Sequence, residues 1–435
     1  MGVGLKVVVI GAGIGGLTLA QALRRAGDEV RVYDRDATVD ATGGYRLHLD
    51  EAACAALRRH LAPAHYQALQ ASSAGSTAFR HFAVTDHRMR PLLIDRQDPA
   101  AQRLLIGRIP LRRLLAHGLG DVVRFGAEFT HHSTNADGTV TAHFADGSTA
   151  GADLLVGADG VGSRVATALA GRPTSAPAGA SGIAGRVALT DRNRAEVPTL
   201  LQGGPALAFG PGAIGLFLSV HDLANGTALG DTAHDGQVPA QWEPPALVWG
   251  LITADRRLPD EIRGHEPAAL VTVADQLLAG WAPPIRSLIR SSDPASAVYF
   301  RFNAADPTAD LMPWRAERVT ALGDAVHAMP PTGGQGAATA IRDADLLATL
   351  LTAVRAGDST LAEALRAYQL KMAAYAPDAV RESLAPLRWM RTSGTPGGTL
   401  VARIGLPVAA SVAAGYRALR RRGGRPLGGA ARRGR

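Results

Sequence analysis

A glycine-rich turn constrains this 435-residue chain more than any other feature. Its glycines are Gly11, Gly13 and Gly16, in the spacing Gly-x-Gly-x-x-Gly, after a β-rich run at 6–10 and before an Ala- and Leu-rich segment at 17–26. In such a turn the first glycine permits the tight bend and the second lets a pyrophosphate approach the backbone. The third lets the helix pack closely on the strand. The segment therefore predicts a strand, a phosphate-binding turn and a helix.

An acidic residue closes the next β-rich run. Residues 29–33 predict a second strand, which completes a βαβ unit of a parallel sheet. Asp34 follows it, 23 residues after Gly11. An acid there hydrogen-bonds ribose hydroxyls and repels a 2′-phosphate, so we expect a dinucleotide other than NADP. The turn alone does not choose between FAD and NAD, and a glycine-rich turn without a ligand is the alternative.

Two further motifs each predict a strand that ends in a small, acidic turn. One is LLVGADGVGSR at 154–164, with Asp159 and Gly160, and the other is VTALGDAVHAMPPTGGQGA at 319–337. The second motif leads into a segment that predicts helix as far as about residue 390. Its loop would offer N–H groups at a helix N-terminus, where negative charge would be stabilised. Turn-forming aspartates are the alternative interpretation of both acids.

With its three motifs in this order, the chain resembles the class A flavoprotein monooxygenases over residues 5–390. The resemblance implies an α/β fold like that of para-hydroxybenzoate hydroxylase. A Rossmann-like FAD-binding lobe would comprise 1–174 and 311–395, with C-terminal helices. A substrate lobe would be inserted at 175–310, where many short β-rich runs broken by Gly and Pro predict a mainly antiparallel sheet. A further helix is expected at 396–416.

The resemblance also implies which residues contact FAD. They are Gly11, Gly13, Ile14, Gly15, Gly16, Asp34, Arg35, Arg46, Arg108, Asp159, Gly160, Gly323, Asp324, Pro330, Gly333, Gly334, Gln335, Gly336 and Ala337. One departure is visible, because many relatives have Asn where this chain has Ala338. We expect FAD to bind with one polar contact fewer. His327 belongs to the motif, and we expect it to pack near the cofactor rather than to act in catalysis.

The chemistry that the resemblance implies is monooxygenation. The chain has one dinucleotide fingerprint, so NAD(P)H would visit transiently to reduce FAD. O₂ would then form a C4a-hydroperoxide that transfers oxygen to an electron-rich aromatic small molecule, in secondary metabolism by family habit. Epoxidation and Baeyer–Villiger insertion use the same cofactor loop and stay open, and no catalytic acid or base is identified.

Substrate contacts are expected from two regions, the segment after Asp34 and the β-rich runs of the middle lobe. The candidates are Tyr45, His48, Phe217, Trp249 and Tyr299. Aromatic residues on strands belong to the core more often than to a pocket. Arg46 could hold the flavin or a substrate anion, or be a surface charge. No residues have metal-ligand spacing.

The formal charge of +8 does not indicate nucleic-acid binding, because it is concentrated in one segment. Residues 417–435 hold eight arginines and no acid, so the rest is close to neutral. This basic tail predicts disorder, with RNA or membrane binding as the less favoured interpretation. The apolar stretch 404–414 is shorter than the roughly 20 residues of a membrane span. Cys54 is the only cysteine, which fits a buried core position and a reducing cytoplasm.

Three rival functions share the cofactor. A flavin-dependent halogenase would carry a Trp-x-Trp-x-Ile-Pro stretch, which this sequence lacks. A reductase of the same superfamily stays open. A catalytically silent FAD protein that carries a metabolite is the third, and Ala338 is a faint hint of it. Oligomeric state is not predicted.

Overall fold

The structure is a computed structural model that describes residues 4–44, 46–75, 78–222 and 238–393. Tyr45, the helix expected at 396–416 and the basic tail at 417–435 lie outside these residues. The strands are β1 Lys6–Ile10, β2 Glu29–Asp34, β3 Arg46–Leu49, β4 His81–Asp86, β5 Pro91–Arg96, β6 Leu104–Gly107, β7 Val123–Phe125, β8 Phe129–Thr134, β9 Val140–Phe144, β10 Thr149–Ala152, β11 Leu154–Gly157, β12 Ala176–Ala188, β13 Ala206–Gly210, β14 Ile214–His221, β15 Ala246–Ala254, β16 Val298–Ala304 and β17 Val319–Ala321. The helices are α1 Ile14–Arg25, α2 Glu51–His60, α3 Pro63–Ala71, α4 Arg108–Ala116, α5 Arg164–Ala170, α6 Asp191–Arg194, α7 Pro267–Leu277, α8 Pro283–Arg290, α9 Asp324–His327, α10 Gly336–Ala356, α11 Leu361–Ala373 and α12 Ala376–Ser393.

A five-stranded parallel sheet carries the three motifs, in the order β17-β11-β1-β2-β7. Strand β1 pairs with β2 on one side and with β11 on the other. Its side chains alternate between two cores: Val7 and Val9 join the core that contains α1 and α10, and Val8 and Ile10 join the one beneath β8–β10. Both faces are covered, as is usual for a parallel sheet. The predicted βαβ unit and α/β class are confirmed.

A seven-stranded sheet forms the second layer, in the order β16-β12-β15-β14-β13-β4-β5. It is antiparallel, as the middle of the chain predicts, except where β4 runs parallel to β13. Strands β4 and β5 come from within 1–174, which we had placed wholly in the FAD-binding lobe. They join this sheet because β4 pairs with β13 through Ala83 and Val84, which are buried. The two lobes are thus more interleaved along the chain than the predicted boundaries at 174/175 and 310/311 imply.

One stretch that reads as a single helix in the sequence is divided into two helices in the structure. Residues 52–70 predict one helix but form α2 and α3, because Pro63 cannot continue a helix and instead occupies the first turn of α3. The helical region after Gly336 is present as α10, α11 and α12. Among the described helices, none is both long and apolar enough to cross a membrane.

Candidate cofactor and substrate sites

A groove of about 410 Å³ opens at the carboxyl ends of β1, β2 and β11. Helix α1 begins there with Gly13 as its N-cap, and the helix has neither a side-chain cap nor an acid in its first turn. Its first N–H groups and the positive end of its dipole therefore face the groove. A Cβ atom at Gly13 would meet no described atom within 4 Å. The open space and uncapped helix end fit the pyrophosphate of FAD.

The other two glycines of the turn are required by packing. Gly11 has φ +111°, and a Cβ there would lie 2.2 Å from the Ala158 carbonyl oxygen. A Cβ at Gly16 would lie 2.0 Å from the carbonyl oxygen of Gly11 itself. The turn consequently packs β1 tightly against the second motif, and of the three glycines only Gly13 has open space where a Cβ would lie.

Asp34 lines the groove, but protein donors occupy most of its carboxylate. It accepts hydrogen bonds from the Ala12 N–H at 2.5 Å, the Asp36 N–H at 2.7 Å and the Arg112 guanidinium at 3.2 Å. A carboxylate has about four acceptor positions, so roughly one is left for a ribose hydroxyl. Buried Arg112 pairs with both Asp34 and Asp36, at 3.2 and 2.8 Å, so its single positive charge offsets only part of the negative charge that was expected to repel a 2′-phosphate.

Asp159 organises the turn of the second motif. Its carboxylate accepts hydrogen bonds from the Ser163 hydroxyl at 2.5 Å and from the N–H groups of Arg164 at 2.8 Å and Val165 at 3.3 Å. Burial raises the pKa of Asp159, and the Ser163 hydrogen bond partly offsets this rise. The residue lines the groove, but these contacts are those of a turn-forming aspartate.

Asp324 faces the same groove from the start of α9. Burial raises its pKa, whereas His327 and Arg108 oppose the rise. The preceding Gly323 has φ +65°, and its N–H donates to the Asp343 carboxylate at 2.8 Å. A hydrogen bond to an acid on α10 thus holds the third motif in place.

That acid, Asp343, is fully buried and has two further partners. His327 Nε2 lies 2.6 Å from one carboxylate oxygen, and the Tyr375 hydroxyl donates to the other at 2.5 Å. Burial alone would lower the pKa of His327, but Asp343 raises it above its usual value. The expectation that His327 packs near the site agrees with this geometry, in which it supports the loop.

The loop at 330–337 packs against α12. A Cβ at Gly333 would lie 2.4 Å from the Ser383 hydroxyl, and the Gln335 amide donates to the Glu382 carboxylate. Helix α10 begins at Gly336, as expected, with no side-chain cap and no acid in its first turn. Because Gly336 is close to Asp324, the positive end of this 21-residue helix points at the inner end of the groove.

Arg108 lines both this groove and a second cavity of about 250 Å³, as do Thr42 and Gly43. Its Nε donates to the Thr42 hydroxyl at 3.3 Å. Gly44 has φ +119°, and a Cβ there would lie 2.9 Å from Arg108 Cδ. The two cavities therefore meet at Arg108, which was predicted as a FAD contact.

The second cavity is lined by both apolar and charged residues. Apolar residues from three elements, Ile109, Val248 and Val298, line it together with Arg186 and Glu243. Burial raises the pKa of Glu243, opposed by Arg186 and Arg46.

His221 and Arg46 complete the polar part of the second cavity. Burial and nearby Arg46 lower the pKa of His221 to about 4, so it is neutral at physiological pH. Its Nε2 lies 3.5 Å from Glu243 Oε2. Arg46 was assigned to FAD by resemblance, but here it lines this cavity rather than the dinucleotide groove.

The predicted substrate aromatics lie elsewhere. Trp249 is fully buried in the core of the seven-stranded sheet, where its Nε1 donates to Ser292 at 2.8 Å. Phe217 packs against another core cluster, and the Tyr299 hydroxyl lies 3.0 Å from Ser181 Oγ. His48 stacks on Phe79 at 4.7 Å. None of these four residues lines either of the two cavities.

Sequence reasoning missed several lining residues of these cavities, among them Arg112, Arg186, His221 and Glu243. Arg112 had a signal, because its buried position falls one helical turn after Arg108 on α4. The other three lie at strand ends or in the loop before β15, and only the strand pairing brings them together.

A sequence model of the family described as "FAD binding domain" matches residues 4–197 and 298–383. The dual O-methyltransferase/FAD-dependent monooxygenase CTB3 of Cercospora beticola is 31% identical over 376 residues, which are 79% of this chain and 42% of that protein. This chain thus spans about two fifths of that relative's length.

Two further similarities extend over most of both chains. An FAD-dependent urate hydroxylase of Klebsiella pneumoniae subsp. pneumoniae is 29% identical over 84% of this chain and 85% of its own. The crystal structure of a candidate FAD-containing monooxygenase from Photorhabdus luminescens subsp. laumondii superposes with a TM-score of 0.75 and 30% identity, over 88% of this chain and 98% of that one. Together with the uncapped helix ends and the groove between them, these similarities show that this chain belongs to the FAD-binding-domain family of flavoproteins, among whose members are FAD-dependent monooxygenases.

Proposed function

We propose that this protein is an FAD-dependent monooxygenase that hydroxylates an electron-rich aromatic small molecule, with NAD(P)H and O₂ as co-substrates. The observation that supports this proposal most directly is that Arg108 lines both the dinucleotide groove and the second cavity, whose walls are partly apolar. A cofactor in the groove would present its reactive ring to a molecule in the second cavity. The volume of about 250 Å³ is slightly smaller than the roughly 300–1,000 Å³ of most small-molecule sites.

FAD when bound would accept a hydride from NAD(P)H and activate O₂, so that one oxygen atom enters the substrate and the other leaves as water. The residues proposed to hold it are Gly13 and the first turn of α1 at the pyrophosphate, with Asp34 at the ribose. Arg108 and Asp324 would lie closer to the ring system, at the inner end of the groove. The uncapped start of α10 would stabilise negative charge there.

The protein's own contribution would be orientation and exclusion of water. The apolar side chains of Ile109, Val248 and Val298 would hold an aromatic ring and keep the cavity dry. Similarity to the dual-function monooxygenase of Cercospora beticola supports a role in secondary metabolism. The relative from Klebsiella pneumoniae is named for the hydroxylation of urate, a purine, and that name describes the relative alone.

The test is a coupled assay on the purified, FAD-loaded protein. NAD(P)H oxidation and O₂ uptake are measured with a panel of phenolic and polycyclic aromatics under ¹⁸O₂. A substrate that accelerates both and gains one labelled oxygen supports the proposal. A yellow protein that oxidises NAD(P)H without O₂ would identify a reductase. A yellow protein that neither oxidises NAD(P)H nor consumes O₂ with any compound would identify a binding protein.

A further inference from the structure

Two carboxylates line the dinucleotide groove at the end of β2, and only one of them belongs to the fingerprint. Asp34 and Asp36 lie there together with Arg112 of α4. The adenosine ribose of a dinucleotide carries neighbouring hydroxyl groups at C2′ and C3′, and each is a donor that needs an acceptor when it leaves water. The acceptor positions that the protein leaves open therefore indicate which side chains would hold this ribose.

Asp34 has too few open positions to accept from both hydroxyls. Its Oδ2 accepts hydrogen bonds from the Ala12 N–H at 2.5 Å and from Arg112 Nη2 at 3.2 Å. Its Oδ1 accepts from the Asp36 N–H at 2.7 Å. An ionised carboxylate has about four acceptor positions, so Asp34 retains roughly one. The second hydroxyl needs a different acceptor.

Asp36 has the capacity that Asp34 lacks. Its Oδ2 accepts from Arg112 Nη1 at 2.8 Å, and its Oδ1 has no hydrogen-bond partner among the residues that the structure describes. About three of its four acceptor positions are therefore open. The Asp36 side chain is also the more accessible of the two, since 30% of it is exposed against 10% for Asp34.

Arg112 connects both acids to the phosphate-binding turn. Its Nε donates to the Ala12 carbonyl at 2.8 Å, while Nη1 and Nη2 donate to the two carboxylates. The side chain is buried, and its Cζ lies 5.6 Å from the centre of the Phe125 ring. Because a planar guanidinium presents its donors in a fixed fork, one side chain sets the positions of both acids. Its single positive charge also reduces the repulsion between them.

We propose that Asp34 and Asp36 each accept a hydrogen bond from one hydroxyl of the adenosine ribose of FAD, and that Arg112 is the positioning residue for both acids. Asp36 and Arg112 lie outside the spacing that defines the fingerprint, and the contacts of this chain alone bring them to the groove. The proposal concerns the adenosine end of the cofactor and does not depend on the reaction at the other end. It can therefore be tested without NAD(P)H or a substrate.

The test measures how tightly the full-length apoprotein binds FAD and two analogues of FAD, whose adenosine lacks either the 2′ or the 3′ hydroxyl. The change in flavin fluorescence on binding gives each Kd. We expect wild-type protein to bind each analogue about tenfold or more weakly than FAD, because each analogue loses one hydrogen bond to a charged acceptor. The ratio of an analogue's Kd to that of FAD is the penalty for the missing hydroxyl.

The variant Asp36→Ala removes one acceptor. It should weaken FAD about tenfold and abolish the penalty for one hydroxyl, while the penalty for the other hydroxyl is kept. Asp40→Ala is the matched control, because Asp40 pairs at 2.7 Å with Arg113, the next residue of α4, and lies outside the groove lining. It should leave all three Kd values unchanged.

The variant Arg112→Gln keeps both acids but no longer fixes their positions, so it should reduce both penalties. A purely structural role would instead weaken all three dinucleotides by the same factor. Arg112→Lys keeps the charge without the fork, and it should reduce the penalties less than Arg112→Gln does.

Three results would overturn the proposal. The first is that wild-type protein binds both analogues as tightly as FAD. The second is that Asp36→Ala keeps both penalties, and the third is that the Arg112 variants keep both penalties while binding every dinucleotide more weakly. If neither Arg112 variant folds, Asp36→Ala decides, since it changes a partly exposed side chain. A protein that shows these penalties but oxygenates no compound in the coupled assay would refute the monooxygenase proposal alone.

Discussion

Asp343 is the common acceptor for three buried donors, and replacing it with asparagine is expected to weaken both the fold and FAD binding. The Gly323 N–H, His327 and the Tyr375 hydroxyl approach its carboxylate at 2.8, 2.6 and 2.5 Å. An asparagine oxygen can serve one or two of these donors, and its NH₂ group opposes the rest. Each buried donor left unsatisfied costs about 1–3 kcal/mol, and breaking a buried pair costs about 3–5 kcal/mol. We expect Asp343→Asn to lower the free energy of unfolding by about 3 kcal/mol.

The assay is urea unfolding followed by tryptophan fluorescence, without and with added FAD. The extra stabilisation by FAD should be smaller in the variant, because a looser Gly323 leaves Asp324 less well placed. The pKa of His327 is raised in the folded protein, so its contribution is complete below about pH 6.5 and is lost as pH rises through the raised value. The difference in unfolding free energy between the wild type and Asp343→Asn should therefore become smaller at high pH. Asp378→Asn, on an exposed pair with Arg381, should cost less than about 0.5 kcal/mol. Equal losses for the two variants would refute the reasoning.

Three further outcomes are expected. Gly13→Ala should leave the unfolding free energy unchanged but lower FAD affinity about tenfold or more, whereas Gly16→Ala should unfold the protein. The reason is that only a Cβ at Gly16 would meet backbone atoms. Circular dichroism and apoprotein reconstitution distinguish the two variants, and equal behaviour would contradict the assignment. Trp249→Phe should cost about 1–2 kcal/mol in urea unfolding through its lost Ser292 hydrogen bond, and should leave NAD(P)H oxidation and O₂ uptake in the coupled assay unchanged. A change in either rate would place Trp249 at the site. Burial lowers the pKa values of His48 and His221 to about 4, so stability should fall as pH drops from about 6.5 towards 4, and His48→Phe should flatten that fall in unfolding measured across this range.

The sequence predicts the cofactor half of the molecule well because its chemistry is local. The turn at Gly11–Gly16, the acid at Asp34 and the small, acidic turns after β11 and β17 are each contiguous segments whose function depends on spacing. Parallel strands then place their carboxyl ends at the same edge of a sheet, so three separate motifs meet in one groove. The interleaving of β4 and β5 with the second sheet has no such local signal, since strand pairing depends on partners more than 100 residues away.

Single residues of the motifs are less predictable than the motifs. Asp34 is where the fingerprint requires it, but Arg112 pairs with it from α4, and Asp36 shares the same guanidinium. An acid that was expected to discriminate against a 2′-phosphate is therefore partly neutralised by a cation that the local pattern does not reveal. Preference for an unphosphorylated ribose would then depend on space in the groove as well as on charge.

The second cavity was the least predictable part of the molecule, for a reason visible in β3. Alternation places Arg46 and His48 on the same face of this short strand, yet Arg46 lines the cavity whereas His48 stacks on Phe79. From sequence, both are polar residues in one β-rich run, and aromatic residues on strands draw attention first. In the folded chain the aromatic Trp249 turns into the core while its neighbour Val248 lines the cavity. Which side chains line the cavity therefore depends on the face of each strand and on the position along it, and both become apparent only when the strands are assembled.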